Sequence, residues 1–133
     1  MNTTNKAWFT DPNNRFYGMK HTETKVNTIT LDLLIMTYGI PDLIKVDVEG
    51  AEFDTLQSLS FKVPMLCFEW ASEMNQTTFD CLDYLEKLGF SKFALQMKDD
   101  YTFRPDLWVS KKDVILSLKK CVPKEDWGMI WAS

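Results

Sequence analysis

The sequence predicts an α/β domain with a mostly parallel sheet and helices on both faces. Short strand-like segments alternate with helical patterns of about ten residues, which is typical of βαβ units. The segment VPMLCFEW (63–70) is apolar nearly throughout, and the apolar residues of DLIKVD (42–47) are not confined to alternate positions. Strands buried on both faces have this pattern. With 133 residues the chain forms one domain with a sizeable core.

The first part of the chain is predicted to be irregular and then to enter the sheet. Residues 1–25 are rich in turn formers, including Asp-Pro and Asn-Asn. KVNTIT (25–30) carries β-branched residues at alternate positions, which predicts a strand. Thr30 is placed to cap a helix that runs to Tyr38, where Gly39 ends it. DLIKVD then forms the next strand.

The rest of the chain continues this alternation. A helix is predicted over residues 51–59, followed by the strand VPMLCFEW. Thr77 or Thr78 caps a further helix that ends at Leu88, and its inward stripe consists of Phe79, Leu82, Leu85 and Leu88. The last predicted elements are the strand KFALQM (92–97), a helix over 111–120 and the strand WGMIWA (127–132).

Composition excludes several classes of protein. A formal net charge of −4 and a pI near 4.9 argue against nucleic-acid binding, which needs a basic surface. No apolar stretch approaches the length of about 18 residues that spans a membrane, so no membrane association is expected. The three cysteines are odd in number and lack CxxC spacing, which indicates a reducing, cytoplasmic setting.

Acidic residues follow two of the predicted strands. Asp47 and Glu49 come at the end of one strand, and Glu69 comes at the end of the next. Ligands of open α/β sheets bind outside the carboxyl ends of the strands, so these carboxylates are candidate site residues. Helix capping explains one such carboxylate equally well, and Glu52 in a first helical turn complements the helix dipole. Acids at two strand ends favour the ligand site.

The irregular N-terminal stretch offers two further candidates, His21 and Arg15, either of which can reach a ligand. A lone histidine is more often structural. Because His21 is the single histidine of the chain, a histidine-rich metal site is excluded, and no metal site is predicted.

The stretch TITLDLLIMTYGIPDLIKVDVEGAEFDTLQSL (28–59) resembles the signature of FkbM-type methyltransferases, as do the later FEW and YLEKLGF. The resemblance extends from residue 26 to the end. It implies a Rossmann-like methyltransferase fold with an antiparallel last strand, S-adenosylmethionine as cofactor, and methylation of an oxygen on a small molecule or sugar. It also implies that Asp47 and Glu49 lie beside the cofactor and substrate at the end of the family's fourth strand, and that Glu69 lies at the end of the fifth. From the chemistry of the side chains we assign Asp47 to the cofactor side, Glu49 as a base or acceptor-binding group, and Glu69 with His21 to the substrate. The roles of Asp47 and Glu49 are interchangeable at this stage.

The sequence departs from the family pattern in its glycines. Such methyltransferases carry a glycine-rich cofactor loop after their first strand, whereas the five glycines here are widely spaced. Residues 26–133 therefore correspond to the C-terminal half of the family's domain. A fragment, a second chain that supplies the first half, and a remnant that no longer binds cofactor are all consistent with this.

Two other functions remain open from the residues. Aspartate-nucleophile phosphatases also place an acid two residues after a strand-end aspartate, as in Asp47 and Glu49, and bind Mg²⁺. A non-catalytic, oligomerising domain that keeps only the sheet is the third hypothesis.

The resemblance also predicts an exposed sheet edge at DLIKVD, because the strands that flank it in the family lie outside this sequence. Bare edges pair with other chains unless they are covered. Either residues 1–25 fold over the edge, with Trp8, Phe9, Phe16 and Tyr17 as an apolar plug, or two chains associate there. A symmetric homodimer is the favoured outcome.

Overall fold

The structure, a computed structural model, describes residues 3, 5–100, 102, 104 and 106–133. Its helices are α1 (Ala7–Thr10), α2 (Leu31–Tyr38), α3 (Glu52–Leu56), α4 (Asn75–Lys87) and α5 (Lys111–Leu118). Its strands are β1 (Ile44–Val46), β2 (Leu66–Ala71), β3 (Phe93–Met97) and β4 (Trp127–Ala132).

The strands form one sheet in the order β1-β2-β4-β3. β1 pairs with β2 in parallel, with Ile44 opposite Leu66. β4 lies between β2 and β3 and runs antiparallel to both, so β1, β2 and β3 share one direction. The predicted α/β, Rossmann-like fold class is confirmed, as are the β1–β2 pairing and the antiparallel last strand beside β3.

The hydrophobic core lies between one face of the sheet and the helices α2 to α5. Side chains at alternate positions of β2 point into it, and Phe68 is fully buried. The helices contribute their own buried apolar residues to the same cluster: Ile35, Leu56, Cys81, Leu82, Leu85, Val114 and Leu118. These four helices therefore cover a single face.

The other face carries Glu69 and Ala71 of β2 beside Met129 and Trp127 of β4. The N-terminal segment, residues 5–21, includes α1 and lies at the carboxyl ends of the parallel strands. Helices α2 to α5 lie on the first face, and the short α1 lies beside the loop after β1. Coverage of the second face by helices stays a prediction.

The predicted strand KVNTIT is wrong. Residues 25–30 are exposed and have no strand conformation, because none of the strands in the described part of the chain pairs with this stretch. The predicted helix that follows is confirmed. The hydroxyl of Thr30 accepts a hydrogen bond from the amide of Leu33 at 3.2 Å, and Gly39 ends the helix with φ 93°.

Thr77 and Thr78 do not cap α4, which is a second correction. The chain leaves β2 through a 3₁₀ turn over Ser72–Met74, and the helix begins directly after it at Asn75. Thr78 is buried one turn inside α4, where its hydroxyl donates to the carbonyl of Met74. In the predicted inward stripe, Leu82 and Leu85 are fully buried, whereas Phe79 and Leu88 are partly buried against the core.

β1 lies at an edge of the sheet, and the N-terminal segment does not run along it. Trp8 is buried, with 3% of its surface exposed, but it contacts the loop after β1 rather than the strand. Tyr17, a predicted part of the apolar plug, is 57% exposed. The N-terminal segment therefore covers the carboxyl end of β1 and does not cover the edge of β1 that faces away from β2.

Replacing Gly128 in β4 by alanine is expected to destabilise the fold strongly. A Cβ there would lie 2.0 Å from the carbonyl oxygen of Gln96, on the neighbouring strand. Relieving that overlap must move the strand, so the free energy of unfolding should fall by about 3 kcal/mol in urea denaturation. Gly18→Ala is the control, because its Cβ would meet no atom within 4 Å and only its positive φ of 74° adds strain, about 1–2 kcal/mol. Equal losses in both variants would contradict the packing account.

Candidate active site at the carboxyl edge

The loop after β1 has an unusual backbone that a buried carboxylate holds in place. Glu49 and Gly50 both have positive φ, 56° and 95°. The side chain of Glu52 accepts hydrogen bonds from the amides of Val48 at 3.2 Å and Gly50 at 2.9 Å. Glu52 is 6% exposed, so it stabilises the loop directly, in addition to lying in the first turn of α3 as predicted.

The N-terminal segment binds the same loop from the other side. The carbonyl of Glu49 accepts hydrogen bonds from the indole nitrogen of Trp8 and the hydroxyl of Thr3. The amide side chain of Asn5 donates to the carbonyl of Gly50 at 2.9 Å. A Cβ on Gly50 would lie 2.3 Å from the Trp8 indole nitrogen, so this contact requires glycine at position 50.

Three predicted site residues come together at the ends of β1 and β2. Carboxylate oxygens of Asp47, Glu49 and Glu69 all lie within 4.8 Å of one another. The predicted placement of Asp47 and Glu69 at one edge of the sheet is thus confirmed. Within the described part of the chain, this is the group of acids whose spacing would let them share one cation.

Burial and neighbouring charges raise the pKa of two acids in this cluster, Glu69 and Glu49. Burial, reinforced by the charges of Glu49 and Asp47, raises the pKa of Glu69 to about 8. Burial, followed by the charge of Asp47, also raises the pKa of Glu49. Asp47 is more exposed and pairs with Lys45 at 2.9 Å. The cluster therefore retains a proton on Glu69 at neutral pH and attracts positive charge.

An open pocket of about 300 Å³ lies beside the cluster. Its lining consists of three aromatic residues, three charged residues and one alanine: Trp8, Phe16 and Trp127; Arg15, Glu49 and Glu69; and Ala71. Arg15 is held in position by a two-pronged ion pair with the buried carboxylate of Glu73, with one contact at 2.7 Å. Its positive charge lowers the pKa of Glu69, against the larger effect of burial.

The structure does not bring His21 to this pocket. His21 is exposed, its ring stacks on Phe9 with centroids 4.4 Å apart, and it is not among the pocket-lining residues. Its substrate-binding role stays a prediction. Arg15, the other N-terminal candidate, does line the pocket. Trp8 and Phe16 were predicted as an apolar plug over the edge of β1, and the structure places both in the wall of this pocket instead.

The fold defines a Rossmann-like α/β domain, and the acid cluster lies outside the carboxyl ends of its strands, where such domains bind ligands. The family model described as methyltransferase FkbM domain matches residues 2–92. The chain therefore belongs to the FkbM methyltransferase family, and the resemblance seen in DVEGAE is confirmed. The match includes the N-terminal segment, which the sequence-based resemblance left out, and it ends at residue 92, whereas that resemblance extends to residue 133. No curated protein and no solved structure gave a significant match. Across the described residues, no helix is both long and apolar enough to cross a bilayer.

The Glu69→Gln substitution should make stability less dependent on pH. In the folded protein the pKa of Glu69 is raised to about 8, so between the unfolded value and pH 8 the folded state binds more protons than the unfolded one. The free energy of unfolding should thus fall by about 1–2 kcal/mol, after solvent screening, as pH rises through this range. Above pH 8 it should level off.

Urea denaturation at pH 5 and pH 8.5 measures this effect. In Glu69→Gln the free energy of unfolding should change much less between the two pH values than in wild type. In Glu125→Gln, a substitution at an exposed position, it should decrease as in wild type. A decrease of the same size in wild type and Glu69→Gln would show that Glu69 is ionised at neutral pH.

Proposed function

We propose that this chain supplies the acid-lined part of an S-adenosylmethionine-dependent methyltransferase site, either alone or together with another polypeptide segment, and that the methyl acceptor is an oxygen of a small molecule or sugar. The observation that carries the proposal is the convergence of Asp47, Glu49 and Glu69 within 4.8 Å in a chain of the FkbM family. Three carboxylates so close together repel one another unless they bind a proton or a cation.

Methylation of a hydroxyl forms a carbon–oxygen bond, breaks the carbon–sulfur bond of the donor and releases the hydroxyl proton. Glu49 is the proposed acceptor of that proton, because burial raises its pKa and makes it a stronger base than an exposed glutamate. Glu69, with a pKa of about 8, is mostly protonated at pH 7 and can donate a hydrogen bond that positions the acceptor oxygen. Asp47 is assigned to the cofactor side.

The residues present fit one end of the implied cofactor. S-adenosylmethionine supplies an electrophilic methyl group on a sulfonium and also carries an ammonium group. Asp47 and Glu49 match those positive charges. For the nucleoside, close backbone approach needs glycine. At this edge the space beside Gly50 is occupied by Trp8. The chain's own residues therefore fit the charged end of the cofactor, and the nucleoside needs contacts from elsewhere.

The pocket suits a small, polar acceptor. Its volume of about 300 Å³ is at the lower end for small-molecule sites, and its aromatic walls offer faces on which a sugar ring can pack. The three cysteines are free thiols, which supports the proposal of a cytoplasmic protein.

Binding of S-adenosylmethionine to the intact chain should depend on the sulfonium charge. S-adenosylhomocysteine has the same nucleoside and amino acid without that charge, so isothermal titration calorimetry should give it about tenfold weaker binding. Glu49→Gln should reduce the difference in affinity between the two ligands, whereas Glu125→Gln should leave that difference unchanged. Equal affinity for both ligands would contradict the role of the cluster.

The same titration separates the alternatives. Binding of Mg²⁺ without binding of S-adenosylmethionine would favour the phosphoryl-transfer hypothesis. Absence of both would favour a non-catalytic domain. Either result would overturn the proposal that this chain alone forms the methyltransferase site.

For turnover, Glu49→Gln should reduce the rate of methyl transfer about 10²–10⁴-fold while cofactor affinity changes less, because the amide keeps the shape and cannot accept a proton. The assay is release of S-adenosylhomocysteine with a panel of sugar and small hydroxyl acceptors, and Glu125→Gln is the matched control. An unchanged rate in Glu49→Gln would leave Glu49 with a loop-forming role alone.

A further inference from the structure

Arg15 is a cation with a fixed place in the wall of the pocket beside the acid cluster. Its guanidinium is held by Glu73, whose side chain is only 2% exposed. Nε and Nη2 of Arg15 each donate to one oxygen of that carboxylate, Nη2 at 2.7 Å. A planar fork of this kind fixes both the position and the rotation of the guanidinium. The group is therefore oriented before any ligand binds.

The pair with Glu73 uses only part of the hydrogen-bonding capacity of Arg15. A guanidinium has five N–H donors. Two of them serve Glu73, and Nη2 also reaches the carbonyl of Asp126 at 3.4 Å, which is long for a hydrogen bond. In the described part of the chain, Nη1 has no acceptor. Because Arg15 lines the pocket and its side chain is 23% exposed, these remaining donors are available to a ligand.

Charges of opposite sign lie on the walls of this one pocket. Arg15 belongs to the N-terminal segment, whereas Glu49 and Glu69 belong to the cluster at the strand ends. A ligand with a carboxylate and a hydroxyl has one favourable orientation between them, with its carboxylate at Arg15 and its hydroxyl at Glu49. The reverse orientation sets its carboxylate against those of the cluster, where like charges repel. The favourable orientation is also the one that brings the hydroxyl to the proposed base.

The charge balance of the pocket favours a ligand with a single negative charge. The charge of Arg15 is balanced by Glu73, so its attraction for a ligand depends on direct hydrogen bonds. Glu49 repels a second negative charge, and among the described residues no second cation lines the pocket. A carboxylate therefore suits this site better than a dianionic phosphate group.

We propose that Arg15 is a specificity-determining residue that binds the carboxylate of the methyl acceptor, and that the acceptor is a sugar acid of the uronic acid class. The aromatic side chains of Trp8, Phe16 and Trp127 provide faces on which its ring packs. The role of its hydroxyl rests on the proposed function, whereas binding of the acid through Arg15 needs neither cofactor nor turnover. The methionyl carboxylate of the cofactor is the other source of the same chemistry.

A charge series of sugars tests the inference on the intact chain. D-glucuronate, D-glucose and D-glucosamine share one ring and carry a negative, no and a positive charge. Titration of ¹⁵N-labelled protein, followed through the indole N–H signals of Trp8 and Trp127, gives a Kd for each sugar. Glucuronate should bind at least about tenfold more tightly than the other two. A preference for glucosamine, equal affinities, or no binding of glucuronate up to about 50 mM would each overturn the proposal.

Variants of the ion pair assign the preference to Arg15. Arg15→Gln combined with Glu73→Gln removes both charges, so no buried carboxylate is left unpaired. This double variant should bind glucuronate and glucose with similar affinity. Arg15→Lys keeps the charge without the planar fork and should retain only part of the preference, which decides the matter if the double variant unfolds. A full preference for glucuronate in either variant overturns the role of Arg15.

Lys124→Gln is the matched control. The ammonium of Lys124 donates to the carbonyl of Pro12 in the same N-terminal segment, at 3.0 Å, but Lys124 does not line the pocket. Its removal should leave the preference for glucuronate as in wild type. A loss equal to that in the Arg15 variants would show that any cation near this segment produces the preference, and would overturn the assignment to Arg15.

Titration with S-adenosylmethionine separates the two sources of a carboxylate. Its affinity should change by less than about threefold in the double variant, because Arg15 binds the acceptor. A loss of cofactor affinity with an unchanged preference for glucuronate would assign Arg15 to the methionyl carboxylate and overturn the proposal. Wild type that binds glucuronate through Arg15 but does not bind S-adenosylmethionine would support the acid-binding site and contradict the proposed function for this chain alone.

Discussion

The amides of Val48 and Gly50 both donate to the buried carboxylate of Glu52, and the position of the acidic cluster depends on these hydrogen bonds. They hold a loop in which Glu49 has a positive φ, a conformation that a non-glycine residue adopts only when its surroundings enforce it. Trp8 completes the arrangement by donating to the carbonyl of Glu49. The side chain of Glu49 is thereby directed toward Glu69 instead of toward the helix that follows.

The cluster that results is electrostatically unfavourable by itself. Glu69 lies within the buried strand β2, near its carboxyl end, where desolvation and the neighbouring carboxylates favour its neutral form. Arg15 offsets this only in part, because its guanidinium is already paired with Glu73. A site with this balance favours a bound proton or cation, and the proposed methylation of a hydroxyl group by a sulfonium donor involves both. Membership of the FkbM family and the geometry of the edge therefore point to the same chemistry.

The sequence was sufficient to predict the features that depend on local pattern. Apolar runs ending in acids located β1, β2 and their carboxyl ends, and Thr30 with Gly39 marked the limits of α2. Features that depend on distant contacts were not predictable in this way. KVNTIT has strand-like residues but no neighbouring strand, and the start of α4 was set by the turn that leaves β2. The pocket walls formed by Trp8 and Phe16 required knowledge of where the N-terminal segment lies, and Glu52 was recognised as a helix-end acid but not as the support of the loop.

The central claim is that Glu69 keeps a proton at neutral pH because it is buried among other carboxylates, and NMR titration of its side-chain carboxyl carbon tests this most directly. With ¹³C-labelled protein, the account predicts a titration midpoint near pH 8 for Glu69. The midpoint should move downward when S-adenosylmethionine is added, because a bound cation favours the carboxylate. A midpoint near the ordinary glutamate value in the free protein would contradict the account.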